Sequence, residues 1–195
     1  MIVEVATQAE LDELGPDVIA IVRSGRFVVR GDRKIRAYGS AKVEAHGSVK
    51  VEAGGSVKVT AYNLTEIVAL DKAKVEAYGS AKVTAFGSAE VVASGSVKVE
   101  AYGSAEVKAY NSAKVVAHDS AKVEAWDSAK VVAWGSAKVM TYGSAKVMTY
   151  DTVKVTAHDS VKVWAYDSAK VWACDSSIVL AHDAAEILSE GGIFQ

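Results

Sequence analysis

Apolar and polar residues alternate along most of this chain within a repeating unit of eight residues. Residues 37–44 show the unit: Ala, a ring or His, Gly or Asp, Ser, Ala or Val, Lys, Val and one variable residue. Nineteen consecutive units fill residues 37–188. Alternation over six residues predicts a strand with one buried face. The third position is Gly, Asn or Asp in every unit, and these residues tolerate left-handed backbone angles. Each unit therefore predicts a six-residue strand and a two-residue corner.

The variable eighth position of the unit predicts how many strands complete one coil. Glu52, Glu76, Glu100 and Glu124 recur every 24 residues, which corresponds to three units. We therefore predict an all-β fold, a right-handed three-sided parallel β-helix (β-solenoid) with 24 residues per coil as 3 × 8. Right-handedness follows from the usual hand of parallel crossovers. Nineteen units then make just over six coils, a body roughly 30 Å long.

The repeat boundaries divide the chain into three predicted regions. Residues 1–36 form an N-terminal cap, residues 37–188 form the octapeptide-repeat solenoid, and residues 189–195 form a C-terminal tail. A stack of coils needs its ends covered, because an unpaired strand edge invites pairing with another chain. We therefore expect the cap to cover one end of the stack.

A short capping helix is predicted at about residues 7–14. Thr7 and Glu10 have the spacing of a capping box, which marks a helix start. Leu11 and Leu14 give the helix an apolar edge, and the Gly-Pro pair that follows ends it. We expect this helix to lie across the open core of the first coil.

Two resemblances accompany these patterns. Residues 9–27 resemble the amino-terminal cap of right-handed parallel β-helix proteins, polysaccharide lyases among them, over about twenty residues. This resemblance implies a right-handed coil. The octapeptides are similar to those of octapeptide-repeat β-solenoid proteins of actinobacteria and their phages over most of the chain. The second resemblance implies no known activity.

Composition restricts the class of protein further. Half of the 195 residues are hydrophobic, yet there are 33 Ala and 32 Val against 6 Leu, so the core must consist of small and β-branched side chains. A net charge of −2 with this apolar fraction excludes intrinsic disorder. No apolar run approaches about 18 residues, and the first residues lack the segments of a signal peptide. Together with the single cysteine, Cys174, these features predict a cytoplasmic protein without disulfides.

Large apolar residues at outward positions suggest an interaction surface. With 24 residues per coil, Val68, Val92 and Val116 would form one apolar face. Larger apolar side chains gather toward the carboxyl end, and we expect them to form a homodimer interface. The predicted self-association residues are Met140, Met148, Trp164, Tyr166, Trp172, Cys174, Ile178, Leu180 and Leu188.

Two other surface features support an alternative, a module that binds nucleic acid or polysaccharide. Rings on one predicted sheet would form a stacking ladder, and basic residues of the cap would form an anion patch. The candidate ladder residues are Tyr62, Phe86, Tyr110 and Trp134. The candidate patch residues are Arg23, Arg26, Arg30, Arg33, Lys34 and Arg36.

Catalytic motifs are missing from the sequence. It contains no nucleotide-binding glycine loop and no nucleophile elbow, and its serines recur as corner residues. We expect no catalytic residue, no cofactor and no metal, and we expect the corner aspartates to cap turns. The leading hypothesis is a non-enzymatic rigid scaffold for protein–protein interaction, with an unidentified protein partner. A phage or mobile-element protein that binds a host factor would fit this build, and a polysaccharide-active enzyme is the third hypothesis.

Overall fold

The chain folds into two parallel β-sheets that lie against each other along one axis. The computed structural model describes residues 1–190 and 193–194, with side-chain environments for residues 1–188. One sheet has 13 strands and the other has 11, and we call them sheet A and sheet B. The predicted parallel β-solenoid is confirmed, and the described residues contain one short helix. Within the described residues, no helix is both long and apolar enough to cross a membrane.

The strands alternate between the two sheets along the chain. Sheet A contains β1 (Ile2–Glu4), β2 (Ile19–Val22), β4 (Lys34–Ala37), β6 (Lys50–Ala53), β8 (Glu66–Ala69), β10 (Lys82–Ala85), β12 (Lys98–Ala101), β14 (Lys114–Ala117), β16 (Lys130–Ala133), β18 (Lys146–Thr149), β20 (Lys162–Ala165), β22 (Ile178–Ala181) and β24 (Ile193–Phe194). Sheet B contains β3 (Arg26–Gly31), β5 (Lys42–Gly47), β7 (Lys58–Ala61), β9 (Lys74–Gly79), β11 (Glu90–Gly95), β13 (Glu106–Asn111), β15 (Lys122–Ala125), β17 (Lys138–Thr141), β19 (Lys154–Ala157), β21 (Lys170–Cys174) and β23 (Glu186–Glu190).

The coil has two sides and 16 residues, so the prediction of three sides and 24 residues is wrong. Neighbouring strands pair in register at a spacing of two units, as in Val83 with Val99 and Val123 with Val139. Nineteen units therefore make about nine and a half coils, a body roughly 45 Å long. The right-handed sense of the coil stays a prediction.

The turn explains why the coil has two sides. In ten of the nineteen units, the N–H of the fifth residue donates to the carbonyl of the second, as from Ala73 to Leu70 at 3.1 Å. Asp71, the first of the two residues between them, has a φ of 59°. All nineteen third positions, ten Asn or Asp and nine Gly, have positive φ, which confirms the predicted left-handed positions. A four-residue β-turn reverses the chain. Each unit is thus a strand of four to six residues followed by a full reversal, not by a shallow corner.

The space between the sheets admits only small side chains. The seventh-position valines, such as Val115 and Val123, meet in the middle and are about 1% exposed. The alanines on either side, such as Ala113 and Ala117, are fully buried near the turns. Close packing leaves no room for an extra methylene without strain. This narrow core accounts for the excess of Ala and Val over Leu.

Helix α1 (Gln8–Glu13) forms the cap where the sequence predicts one. Thr7 is its N-cap, and both hydrogen bonds of the predicted capping box with Glu10 are present. Leu11 is buried against the core, and Leu14 is half-buried. The helix thereby covers the open end of the first coil.

Gln8 completes the cap in a way that the sequence did not indicate. Its side-chain Nε2 donates to the carbonyl of Val28 at 3.0 Å, and the Val28 N–H donates to its Oε1 at 2.8 Å. Val28 belongs to β3, the first strand of sheet B. One side-chain amide therefore pairs with the strand edge as a neighbouring peptide would.

Part of the predicted tail continues the solenoid. Strand β23 ends at Glu190, and β24 pairs with β22 through Ile193 and Phe194. Residues 191, 192 and 195 of the predicted tail lie outside the described residues.

Candidate functional site

Three columns of side chains form each outer surface of the solenoid. They come from the sixth and eighth positions of one unit and the second position of the next. We call the outer surface of sheet A face A and that of sheet B face B. Neighbours within a column are 16 residues apart in the sequence and one strand spacing apart, about 4.8 Å.

The predicted apolar face is wrong because its residues lie on opposite sides. Val68 and Val116 lie on face A, whereas Val92 lies on face B between Glu76 and Lys108. In a 16-residue coil, two residues that are 24 apart in the sequence are one and a half coils apart, so they lie on opposite faces. The apolar column that the structure does form, on face A, consists of Val116, Val132, Met148, Trp164 and Leu180.

The predicted self-association residues are likewise divided between the two faces, so they do not form one surface. Those on face A are Met148, Trp164, Tyr166, Ile178 and Leu180. Those on face B are Met140, Trp172, Cys174 and Leu188. A closed dimer through one contact would use only one of these groups.

Face B carries a groove over its last five strands, β15 to β23. Its outward column begins at Glu124 and continues through Met140, Thr156, Trp172 and Leu188, in which Thr156 is the short residue. The three apolar members are 40%, 37% and 43% exposed. Thr156 leaves a hollow between its larger neighbours, and the groove around it encloses about 940 Å³. A bulky ring thus stands beside an opening on the same surface.

Hydrogen bonds and ion pairs surround this groove. Tyr142 donates its hydroxyl to the Sδ of Met140 at 2.8 Å. Lys170 pairs with Glu186 at 2.9 Å, and Lys122 pairs with Glu106 at 2.9 Å. The hydrogen bond to Glu106 raises the pKa of the Lys122 ammonium. Lys122 and Lys170 are therefore compensated within the chain, whereas Lys138 and Lys154, which also line the groove, have no ion-pair partner among the described residues.

Aromatic ladders exist, but not the one that the sequence predicts. Tyr62 and Tyr110 lie on face B, whereas Phe86 and Trp134 lie on face A. The rings instead stack at 16-residue spacing, with centroids 4.6 to 5.8 Å apart. The long ladder on face A consists of Phe86, Tyr102, His118, Trp134, Tyr150, Tyr166 and His182. The ladders on face B are His46, Tyr62 and Tyr78, and Tyr110, Trp126, Tyr142 and His158.

Stacking within the ladders occupies the ring faces. In the face A ladder, each inner ring has a parallel ring above and below it, as Tyr102 and Trp134 flank His118 at 4.7 and 5.0 Å. Bases and sugars bind aromatic side chains through these faces. The ladders therefore stabilise the stack of coils and offer edges, not faces, to a ligand.

The basic residues of the cap are mostly engaged within the chain. Arg23 pairs with Glu4, Arg26 with Glu44 and Arg36 with Glu52, at 2.9 to 3.1 Å. Arg33 donates to the carbonyl of Leu11 near the end of α1. Arg30 and Lys34 are exposed on opposite sheets. The predicted anion patch is therefore divided and largely neutralised.

The corner aspartates cap turns, as expected. Their Oδ2 atoms accept hydrogen bonds of 2.9 to 3.1 Å from backbone N–H groups of the preceding coil. The aspartates with this bond are Asp71, Asp119, Asp127, Asp151, Asp159, Asp167 and Asp175. In the part of the chain that the structure describes, no three His, Cys, Asp or Glu side chains are grouped as a metal site would require.

Comparison with protein-family models, with curated proteins and with solved structures finds no match to this chain. No function therefore comes to this chain through a relative, and the chemistry of the two faces is what supports a functional conclusion.

Proposed function

We propose that this protein is a rigid, non-enzymatic scaffold that forms a homodimer through face B of its carboxyl-terminal coils. The observation that supports this proposal is the groove with exposed Met140, Trp172 and Leu188 around the hollow at Thr156. Trp and Met are enriched at protein interfaces, and an exposed apolar patch is stabilised by covering it.

The groove is complementary to a second copy of itself. A two-fold axis that runs parallel to the strands, midway between β19 and β21, reverses the column onto itself. Trp172 of each protomer then lies over Thr156 of its partner, and Met140 lies opposite the partner's Leu188. In this dimer, the Trp172 side chain of each protomer fills the hollow at Thr156 of the other protomer.

One charge pair beside the groove fits the same arrangement. Lys138 starts β17 and Glu186 starts β23, so the two-fold axis places them opposite each other. Lys154 comes opposite the partner's Lys170, and the same Glu186, 2.9 Å from Lys170 in its own chain, only partly offsets this repulsion. Opposite charges at the rim set the register of such a contact.

The cytoplasm is the proposed setting, supported by Cys174, the one cysteine of the chain, which is free. The scaffold role leaves face A for other partners. A host protein as a partner of a phage-encoded chain is supported only by the resemblance of the octapeptides.

A charge-reversal series tests the dimer by light scattering. The chain should have twice its 20.5 kDa mass. Lys138→Glu and Glu186→Lys should each weaken the dimer roughly tenfold, because each brings like charges together at two symmetric places. The double variant should bind more tightly than either single variant, although Glu186→Lys also removes the ion-pair partner of Lys170. Lys146→Glu, at the same unit position on face A, is the matched control and should change nothing.

Two results would contradict the proposal. One is a monomer mass at high protein concentration. The other is a double variant that is as weak as the sum of its single variants, because the two side chains would then not face each other.

A further inference from the structure

His158 and Cys174 are neighbours in the second-position column of face B. They follow Ala157 and Ala173, which pair in register on β19 and β21. The two residues therefore lie one strand spacing apart, about 4.8 Å. A tetrahedral zinc ion holds a thiolate sulfur and an imidazole nitrogen roughly 3.5 Å apart, given bonds of about 2.3 and 2.0 Å. Neighbouring strands can thus supply one thiolate and one imidazole to the same ion.

The surroundings of His158 leave one of its ring nitrogens for a metal. Its ring stacks on Tyr142 at 4.9 Å, and the next position of the column is Cys174 rather than another ring. Its Nδ1 lies 3.8 Å from the Oδ2 of Asp175, so Nε2, on the opposite edge of the ring, points away from that carboxylate. Metal-binding histidines commonly hold their second nitrogen against a carboxylate, which orients the ring.

Cys174 is the second ligand of this half-site. Its thiol is free and half-buried, and the residue lines the groove of face B. Within the described part of one chain, no third His, Cys, Asp or Glu joins the pair to complete a metal-binding group. Structural zinc takes four ligands, and two cysteines with two histidines is a common set. One chain therefore offers half of a zinc site.

The two-fold axis of the proposed dimer brings in the other half. The complementarity of Trp172 and Thr156 defines this axis independently of the second-position column. Rotation about an axis parallel to the strands keeps each residue at its place along the strand and exchanges β19 with β21. Cys174 of each protomer therefore faces the partner's His158. An ion on the axis lies about 5 Å from each sheet, since packed sheets are about 10 Å apart.

We propose that the homodimer binds one zinc ion on its two-fold axis through Cys174 and His158 of both protomers. This inference rests on the proposed dimer of face B. Thiolate and imidazole ligands select zinc over Mg²⁺ and Ca²⁺, which prefer oxygen ligands. Each thiol releases its proton to solvent when zinc binds, so the sulfurs coordinate as thiolates. The ion cross-links the protomers beside the Trp172 contact and thereby fixes the register of the dimer.

Sedimentation equilibrium with zinc and with a chelator tests this site. The original chain should be a dimer in the chelator, and one zinc ion per two chains should tighten it at least about tenfold. Cys174→Ser and His158→Gln should remove the response to zinc, and each should remain a dimer in the chelator. His182→Gln is the matched control and should respond like the original chain, because His182 is the last ring of the face A ladder and stacks on Tyr166.

Two further measurements do not depend on association. Cobalt(II) should give a thiolate-to-cobalt charge-transfer absorption with the original chain, and Cys174→Ser should lose it. Asp175→Asn keeps an acceptor for the Asp159 N–H but removes the negative charge beside Nδ1 of His158. It should weaken zinc binding about tenfold. Circular dichroism shows whether each variant is folded.

Three outcomes would overturn the zinc site. The first is a dimer in the chelator that zinc leaves unchanged, which would leave the proposed dimer intact. The second is equal zinc binding by the original chain and Cys174→Ser, which would indicate an adventitious ion only. The third is a tightening that a reductant reverses and a chelator does not, which would indicate a disulfide. A monomer in both conditions would instead overturn the proposed dimer, on which the site depends.

Discussion

Replacement of Gln8 tests how the first coil of sheet B is protected. Its amide donates to the Val28 carbonyl and accepts from the Val28 N–H. A hydrogen bond contributes about 0.5 to 1.5 kcal/mol net, so Gln8→Ala should lower the free energy of unfolding by about 1 to 3 kcal/mol. Gln8→Glu keeps an acceptor but replaces the donor with a carboxylate that repels the Val28 carbonyl. We expect it to lose at least half of this energy.

Urea unfolding and native-state hydrogen exchange measure this effect. Opening of the cap should speed exchange of β3 amides before those of central strands, because coils of a solenoid are stabilised by their neighbours. The freed edge should also increase aggregation, seen as light scattering. Asp12→Ala is the control, because it removes only the 2.8 Å contact from Gln8 to Asp12 within the helix. If Gln8→Ala matched the original chain in stability, exchange and scattering, the role assigned to Gln8 would be refuted.

Two further predictions concern the core and the charged surface. Ser177→Ala should raise the free energy of unfolding, measured in urea, by about 1 kcal/mol, because the buried Ser177 hydroxyl has no hydrogen-bond partner among the described residues. Ser176→Ala, at an exposed position, is the control and should change little. A loss of stability in Ser177→Ala would contradict this prediction. Glu66 has a pKa below its ordinary 4.5 because Lys50 and Lys82 donate hydrogen bonds to it. The ionised Glu66 carboxylate therefore contributes its full stabilisation above pH 4.5, and this stabilisation is lost as the pH falls through the lowered pKa of the folded state. The difference in unfolding free energy between the original chain and Glu66→Gln should accordingly shrink over that acidic range. A difference that grew on acidification would refute the pairing.

Features that depend on neighbours in the sequence could be predicted. The eight-residue unit, the positive φ of its third position and the capping box at Thr7 are all local. Each follows from which backbone angles and hydrogen bonds a residue permits. These features were sufficient to predict a parallel solenoid with a helical cap.

The size of the coil could not be obtained in the same way, because it depends on the turn. A residue with positive φ is compatible with a shallow corner or with a full reversal. The recurrence of Glu52, Glu76 and Glu100 every 24 residues favoured a shallow corner and a three-sided coil. Identical residues, however, need not lie next to each other on neighbouring strands. The structure places Glu76 on the face opposite to Glu52 and Glu100. The glutamates of this series are thereby three coils apart on each face, Glu52 and Glu100 on face A and Glu76 and Glu124 on face B.

The candidate surfaces depended on the same choice. The sequence correctly locates large apolar residues near the carboxyl end, but only the 16-residue coil places Thr156 between Met140 and Trp172. With that period known, the hollow and the neighbouring positions of His158 and Cys174 can be read from the sequence directly. The role of Gln8 cannot, because its partner is 20 residues away in a strand whose position depends on the whole cap.

The matched tryptophans test the central claim, dimerisation through face B, most directly. Trp172 and Trp164 occupy the same position of neighbouring units and lie on opposite faces. Sedimentation equilibrium should show a dimer for the original chain and for Trp164→Ser, and a dimer at least tenfold weaker for Trp172→Ser, since a central interface tryptophan commonly contributes about 2 kcal/mol or more. A monomeric original chain, or equal effects of the two substitutions, would contradict the account.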